Sequence, residues 1–354
     1  MAPTARIRNA LPRDRGASYV WAAGGLSLLA VFVLFVADSR LTAVPFVVFV
    51  GTVAYGWVRH QPATAHGLTV VTTLVTVCTF GLIIVFLGRE AWPAIRYEGL
   101  DLLFDASESW TFSRTAGASE FSLLPMVYGT VATTAVAMLV AGPLGVAGAL
   151  FISEMAPGWA RELVKPAVEI LAGIPSVVYG FIGFVVLNQY MYEHMGVTGF
   201  GNFFIVGVMI GLMALPTVVS VAEDALSSVP DSMKDGALAL GATDWQTMKS
   251  VTLPAAFSGV SAAVLLGLGR AIGETMAATI MLAHTKSIPE PLYDVFTNGE
   301  TLTSVIAFEY GNAGDLQLDA LFAAGVVLFV TVMALSVGSQ VIERRMERKL
   351  GGRE

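Results

Sequence analysis

Arg270 and Glu274 stand four residues apart in the middle of a long apolar segment, residues 255–283 of a 354-residue chain. An ionised side chain without a partner is costly at such a depth, so charges placed there are functional candidates. Arginine stays protonated at any working pH, and its planar fork suits a tetrahedral oxyanion through paired, charge-assisted hydrogen bonds. At i and i+4 both residues share one helical face with Ala263, Gly267, Ala277 and Met281. Most of that face is small and can pack closely or line a narrow path. Glu274 could then hold Arg270 whenever no anion is present, so that the path does not become a fixed anion trap. The plainer alternative is a structural ion pair. Arginine ahead of glutamate is the weaker order within one helix, which points to further partners on neighbouring helices.

Other chemistry is scarce. With 55% hydrophobic and 13% charged residues and a mean hydropathy of +0.71, the chain is too apolar for a water-soluble domain and reads as an integral membrane protein. It contains no GxxxxGK[ST] phosphate cradle and no GxSxG elbow. ATP hydrolysis would therefore belong to another subunit, and no enzymatic activity is expected of this one. His60, His66, His194 and His284 are scattered, and Cys78 is the single cysteine, so neither a metal nor a bound cofactor is expected. The net charge is −7, and no nucleic-acid partner is expected.

The elements that must position these residues are helices, which makes the fold class all-α. Eight apolar segments, 18–37, 41–58, 68–88, 124–152, 165–187, 200–222, 255–283 and 319–342, lie near the length needed to cross a bilayer. The first is followed at once by the second with no small-residue cleavage pattern, so residues 18–58 read as a hairpin anchor and not a cleaved signal. With the N-terminus in the cytoplasm, Arg6, Arg8, Arg13, Arg15, Arg59, Arg161, Lys165, Lys234, Lys249, Arg344, Arg345, Arg348, Lys349 and Arg353 fall inside. Only Arg40, Arg89, Arg96, Arg114 and Lys286 fall outside. This asymmetry places both termini and the loop 223–254 in the cytoplasm. The expected organisation is a basic N-terminus (1–17), the hairpin, a lipid-embedded domain (68–342) and a basic tail (343–354). Two outer segments, 89–123 and 284–318, carry Trp92, Tyr97, Trp110, Tyr293, Phe296 and Glu309. They read either as interfacial aromatics or as a platform for an external partner.

The inner loop has its own pattern. Asp235-Gly236-Ala237, three residues, Gly241, nine residues and Val251-Thr252-Leu253-Pro254 predict a short helix, a glycine break and a second short helix. Pro230-Asp231-Ser232 supplies the start, Gly241 permits a tight stop, and Thr243 with Gln246 has capping-box spacing. Pro254 is expected to open the next membrane segment. Gly173-Ile174-Pro175-Ser176 should break or kink the 165–187 helix, as a gate or as a simple bend. Gly207 with Gly211 and Gly269 with Gly273 have GxxxG spacing, which predicts helix packing. Gly142-Pro143 predicts a bend only.

The loop spacing resembles the EAA loop of ABC-importer permeases, with Asp-Gly-Ala in place of Glu-Ala-Ala. Gly267-Leu-Gly-Arg270-Ala-Ile-Gly-Glu274-Thr-Met-Ala, Leu238-Ala-Leu-Gly-Ala-Thr and Val251-Thr-Leu-Pro-Ala-Ala together resemble the permeases of the phosphate-specific ABC importer, the Pst system. Gly173-Ile-Pro-Ser-Val-Val-Tyr-Gly180, Glu274-Thr-Met276 and Thr301-Leu-Thr-Ser-Val-Ile-Ala307 look like its PstC type in particular. The resemblance implies a six-helix, MetI-like type I importer core preceded by the extra hairpin. It also implies a sister permease of PstA type, a cytoplasmic ATPase dimer of PstB type and an extracytoplasmic phosphate-binding protein of PstS type. By the same resemblance Arg270 and Glu274, with Gly267 beside them, belong to the translocation path, and Asp235, Gly236, Ala237, Gly241, Thr243, Leu253 and Pro254 to the ATPase-coupling loop. Another oxyanion, such as sulfate or molybdate, and an ion-coupled secondary transporter using Glu274 as a proton carrier are the alternatives.

Overall fold

Long apolar runs become helices because a bilayer core offers no water, and a helix satisfies every interior backbone group by itself. The computed structural model describes residues 15–106, 109–112, 119–197 and 201–350. Arg6, Arg8, Arg13, Arg114 and Arg353, counted above in the charge asymmetry, lie outside the described residues, as do the outer parts of the 1–17 and 343–354 segments. The chain forms two compact units, Met1–Val85 and Phe86–Glu354.

In the first unit α1 (Arg15–Val36) packs on α2 (Ala43–Arg59), with a single 3-10 turn at Arg40–Thr42 between them. Ser39 Oγ caps that turn by accepting from Leu41 N at 3.3 Å. The long helix α3 (Gln61–Glu98) begins in this unit and ends in the second. Trp21 Nε1 donates to Ala63 O at 2.9 Å, and a Cβ at Gly56 would come within 2.5 Å of Thr64 Oγ1. Elsewhere the hairpin exposes apolar side chains such as Leu29, Phe32, Phe46 and Val58, a surface matched to lipid and not to water.

In the second unit α3 is followed by α4 (Asp101–Phe104) and by a short antiparallel ladder, β1 (Trp110–Thr111) with β2 (Glu120–Phe121), Trp110 opposite Phe121. Trp110 packs edge-on against Phe112 and Phe121, with centroids 5.2 and 6.4 Å away. It belongs to a local aromatic core and does not stand alone as an interfacial ring. Then come α5 (Leu124–Leu150), closed by a π-turn at Phe151–Met155, and α6 (Gly158–Ala172). Next, α7 (Ser176–Ile182) runs through a π-turn at Gly183–Asn188 into α8 (Gln189–Met195).

The centre of the unit is α9 (Phe203–Ser227), which packs along most of α5. A Cβ at Gly207 would lie 2.5 Å from Val136 Cβ, and one at Gly211 2.8 Å from Ala137 O, so this GxxxG pair is a packing stripe as its spacing predicts. Beyond α9 lie α10 (Asp231–Ala239), α11 (Asp244–Thr247), a π-turn at Met248–Thr252 and α12 (Leu253–Ala255). The chain ends with α13 (Phe257–Ile272), α14 (Met276–Met281), α15 (Leu302–Glu309) and α16 (Asp315–Leu350).

Two of the expected spans are not single helices. Residues Gly158–Ala172 and Ser176–Met195 meet at 89°, and residues Asp244–Ala255 and Phe257–Ile272 at 72°. Among the described residues, counting each bent pair as one span gives eight candidate crossings, and without them six. The first break lies at Gly173-Ile174-Pro175, where the proline has no N–H to give and drives Ile174 away from helical backbone. The second places Pro254 inside the preceding short helix, so the membrane segment opens after Ala256, at Phe257, and not at the proline.

Candidate functional site: a broken helix at Arg270 and a glycine-hinged loop

The 255–283 segment breaks again where its charges stand. Helix α13 ends at Ile272, Gly273 caps it, and α14 starts only at Met276. Glu274 therefore leaves the face it was expected to share with Arg270. Its Oε1 accepts from Ala277 N at 3.1 Å, one of the unpaired N–H groups that open a helix, where a carboxylate is favoured. Thr275 Oγ1 donates to Gly273 O (3.1 Å), and Thr303 Oγ1, from α15, donates to Glu274 O (2.8 Å). The anticipated Arg270–Glu274 ion pair is not formed. The Arg270 side chain is exposed and its guanidinium makes no hydrogen bond or ion pair with any other described residue.

The other members of the anticipated face also separate. Gly267 is buried, and a Cβ there would lie 2.4 Å from Val218 Cγ2 on α9, so it is a close-packing position. Ala263 is buried with it, while Ala277 and Met281 enter a different cluster with Tyr179, Val206 and Met209. Gly269 is exposed, with open space where a Cβ would stand. The Gly269/Gly273 pair thus packs against nothing among the described residues of this chain, contrary to its spacing.

The structure brings together two breaks that lie about a hundred residues apart in sequence. A Cβ at Gly180 would come within 3.0 Å of Ala277 Cα, so α7 and α14, each starting just after a break, touch backbone to backbone. Gly173 closes α6, Pro175 precedes α7, and Ser176 opens it. Tyr179 donates its hydroxyl to Leu171 O at 3.2 Å across the first break, and its phenol lies within the electrostatic reach of Arg270. An unpartnered guanidinium beside two interrupted helices can take an anion without first surrendering an ion pair.

The loop has the predicted form. Gly241 has φ +90°, a left-handed conformation natural only to glycine, and its N–H donates to Leu238 O at 2.9 Å. Thr243 and Gln246 make both bonds of the capping box: Gln246 N donates to Thr243 Oγ1 (3.3 Å), and Thr243 N to Gln246 Oε1 (2.9 Å). Asp235 and Gly236 are exposed on α10, Ala237 is half-buried, and Leu253 and Pro254 are half-buried at the far end. Sequence reasoning passed over Met233 and Trp245 and read Leu238 and Leu240 only as part of a motif; all four are exposed, with Leu240 at 91%. Their signal was available as large apolar residues inside a polar loop, which suggests a surface meant to be covered.

At the opposite end of α9 a polar cluster secures α15. Buried Glu300 takes His284 Nδ1 at 2.8 Å and the Ser304 hydroxyl, while His284 Nε2 lies 3.0 Å from Thr279 O. Glu309, expected on an outer platform, pairs with Lys286 at 2.7 Å, while Trp92, Tyr97, Tyr293 and Phe296 remain exposed.

Residues 141–350 match the family described as the inner membrane component of binding-protein-dependent transport systems. A probable ABC transporter permease, YqgH of Bacillus subtilis, is 37% identical over 278 residues, covering 77% of this chain and 88% of that one. The phosphate transport system permease protein PstC of Mesorhizobium japonicum is 31% identical over 306 residues, covering 81% and 91%. Among solved structures, a bacterial alginate ABC transporter in complex with its alginate-loaded periplasmic protein aligns with a TM-score of 0.55 at 18% identity, over 82% of this chain. This all-α, multi-pass chain belongs to the family of inner membrane components of binding-protein-dependent transport systems.

Proposed function

We propose that the chain is the PstC-type permease subunit of an ATP-driven phosphate importer, with Arg270 as a transient contact for the anion. The observation that carries this reading is the exposed, unpartnered guanidinium of Arg270 beside two adjoining helix breaks. Relatives named as phosphate transport permeases support the substrate. A sister permease of PstA type covers the exposed Arg270 face and completes the path. A PstB-type ATPase dimer takes the loop of α10 and α11, and a PstS-type binding protein delivers phosphate on the opposite side. Both termini and the loop lie in the cytoplasm, and the chain itself holds no cofactor.

The physical sequence runs from the loop to the breaks. ATP-driven closure of the ATPases moves α10 and α11, the helices rock, and the breaks at Gly173–Pro175 and Gly273–Thr275 absorb the backbone change. Glu274 acts by holding the start of α14, which differs from a carboxylate that shields Arg270. Differential contact of phosphate with Arg270 in the two states shifts their populations.

The test is labelled phosphate uptake in cells expressing the whole operon with the native chain or Arg270→Gln, each with and without excess sulfate. The expected result is uptake reduced by about 10²-fold or more at equal membrane abundance, as when a charged partner of a bound anion is removed, with native uptake insensitive to sulfate. Undiminished uptake would remove Arg270 from the path, and strong competition by sulfate would make the machine a broader oxyanion importer.

A further inference from the structure

A shielded ion pair joins the loop to the helix bundle. Lys234, on α10, places Nζ 2.8 Å from Glu154 Oε1 in the π-turn that closes α5. The two side chains are only 19% and 13% exposed, so the contact is not an ordinary surface pair. Ser153 Oγ donates to the same carboxylate oxygen at 3.0 Å. Arg161, on α6, donates through Nε to Ile152 O (2.9 Å) and through its second terminal nitrogen to Ser153 O (2.7 Å). The end of α5 is thereby gripped by α10 on one side and α6 on the other. A second pair, Lys165 with Glu223 at 2.7 Å, ties α6 to α9. Helices α5 and α9 both pack on α13, which carries Arg270, and Gly145 and Gly267 close on the same Val218 side chain.

We propose that the Lys234–Glu154 pair is the strut that passes displacement of α10 to the end of α5, and so to the bundle around Arg270. Both are positioning residues: neither touches substrate, and both act through the helices they join. The inference rests on the reading of α10 and α11 as the ATPase-facing lever. An unsupported α10 could still dock, because Asp235, Leu238 and Leu240 are exposed on it and just after it. Its motion would then be taken up in the turns around Pro230 and Gly241 instead of moving α5. Interrupting the strut should therefore separate ATP hydrolysis from transport.

The whole transporter, this chain with its sister permease, ATPases and binding protein, is reconstituted in liposomes. Labelled phosphate delivered per ATP hydrolysed is measured for the native chain, Lys234→Met, Glu154→Gln, Lys234→Arg and the exchange Lys234→Glu with Glu154→Lys. The two neutralising variants should hydrolyse ATP at near-native rates yet deliver at least about fivefold less phosphate per ATP, the low end of ordinary coupling between sites. Lys234→Arg and the exchange should recover most of the native ratio. A native ratio in the neutralising variants, or an exchange no better than they are, overturns the proposal. So does failure of the neutralising variants to assemble when the two charge-retaining ones assemble with every ratio native, since that marks a brace and not a strut. If the native complex moves no phosphate, the substrate reading fails by itself. The strut is then judged by whether the neutralising variants lose the stimulation of ATP hydrolysis by the loaded binding protein, and retained stimulation overturns it.

Discussion

The loop at residues 231–255 and the broken segment at residues 257–281 are both short helices interrupted at glycine, yet they are held by different means. In the loop the contacts that shape the hinge between α10 and α11 are local: the left-handed Gly241, its bond to Leu238 O and the reciprocal Thr243–Gln246 cap all lie within about ten residues, while Lys234–Glu154 ties α10 to the bundle from outside that hinge. At Gly273–Thr275 the Glu274 bond to Ala277 N and the Thr275 bond to Gly273 O are local, and another comes from Thr303, 29 residues beyond Glu274. The close approach of Gly180 to Ala277 comes from still further away in sequence. A lever must keep its shape while it moves, and local bonds move with it. A site that has to change state is better held by contacts another element can release.

Gly241→Val gives the largest effect that would break this comparison. A β-branched residue in left-handed backbone costs about 1–2 kcal/mol or more, and the bonds that shape the turn are local to it. Uptake should fall severely while the ATPase still co-purifies with the membrane complex, measured as labelled phosphate uptake at equal abundance. Normal uptake would mean that the angle between α10 and α11 carries no force.

The same contrast explains what was legible in the sequence. The loop was readable in detail because capping boxes, left-handed glycines and proline starts are properties of a few adjacent residues. The packing of Gly207 and Gly211 was readable because α9 and α5 are long and regular. Arg270 and Glu274 were visible as charges in an apolar segment, but their relation was not readable. The i, i+4 argument assumes an unbroken helix, and Gly273 ends it between them. Gly267 shows the same limit: a small residue on a predicted face can border a path or admit a neighbour, and the close approach of Val218 was not readable. The Lys234–Glu154 pair spans 80 residues, a distance that no periodicity reports.

Thr303→Val sharpens the comparison at the other region. The substitution keeps the shape and removes the hydroxyl that donates to Glu274 O at 2.8 Å, a bond worth about 0.5–1.5 kcal/mol. If the break is held from a distance, uptake should fall severalfold and amide exchange across residues 274–281 should quicken. Unchanged exchange would show that Gly273 and Glu274 hold the break unaided, and the two regions would then be built alike.

Gly236→Ala is the smallest change and tests the lever from the opposite direction. Gly236 lies inside α10, exposed, with open space where a Cβ would stand, although this position is alanine in the loop pattern it resembles. Alanine should stabilise the helix by about 0.5–1 kcal/mol by restricting the unfolded chain. Since the contacts that shape the hinge are local and the substitution leaves Lys234–Glu154 intact, a firmer α10 should transmit motion at least as well, and uptake should be unchanged or slightly raised. A marked fall in uptake, with the isolated chain no less stable to heat, would show that the space beside Gly236 is occupied in the assembled machine. The glycine would then be fitted to its ATPase groove, and the lever's shape would be set by its partner as well as by its own sequence.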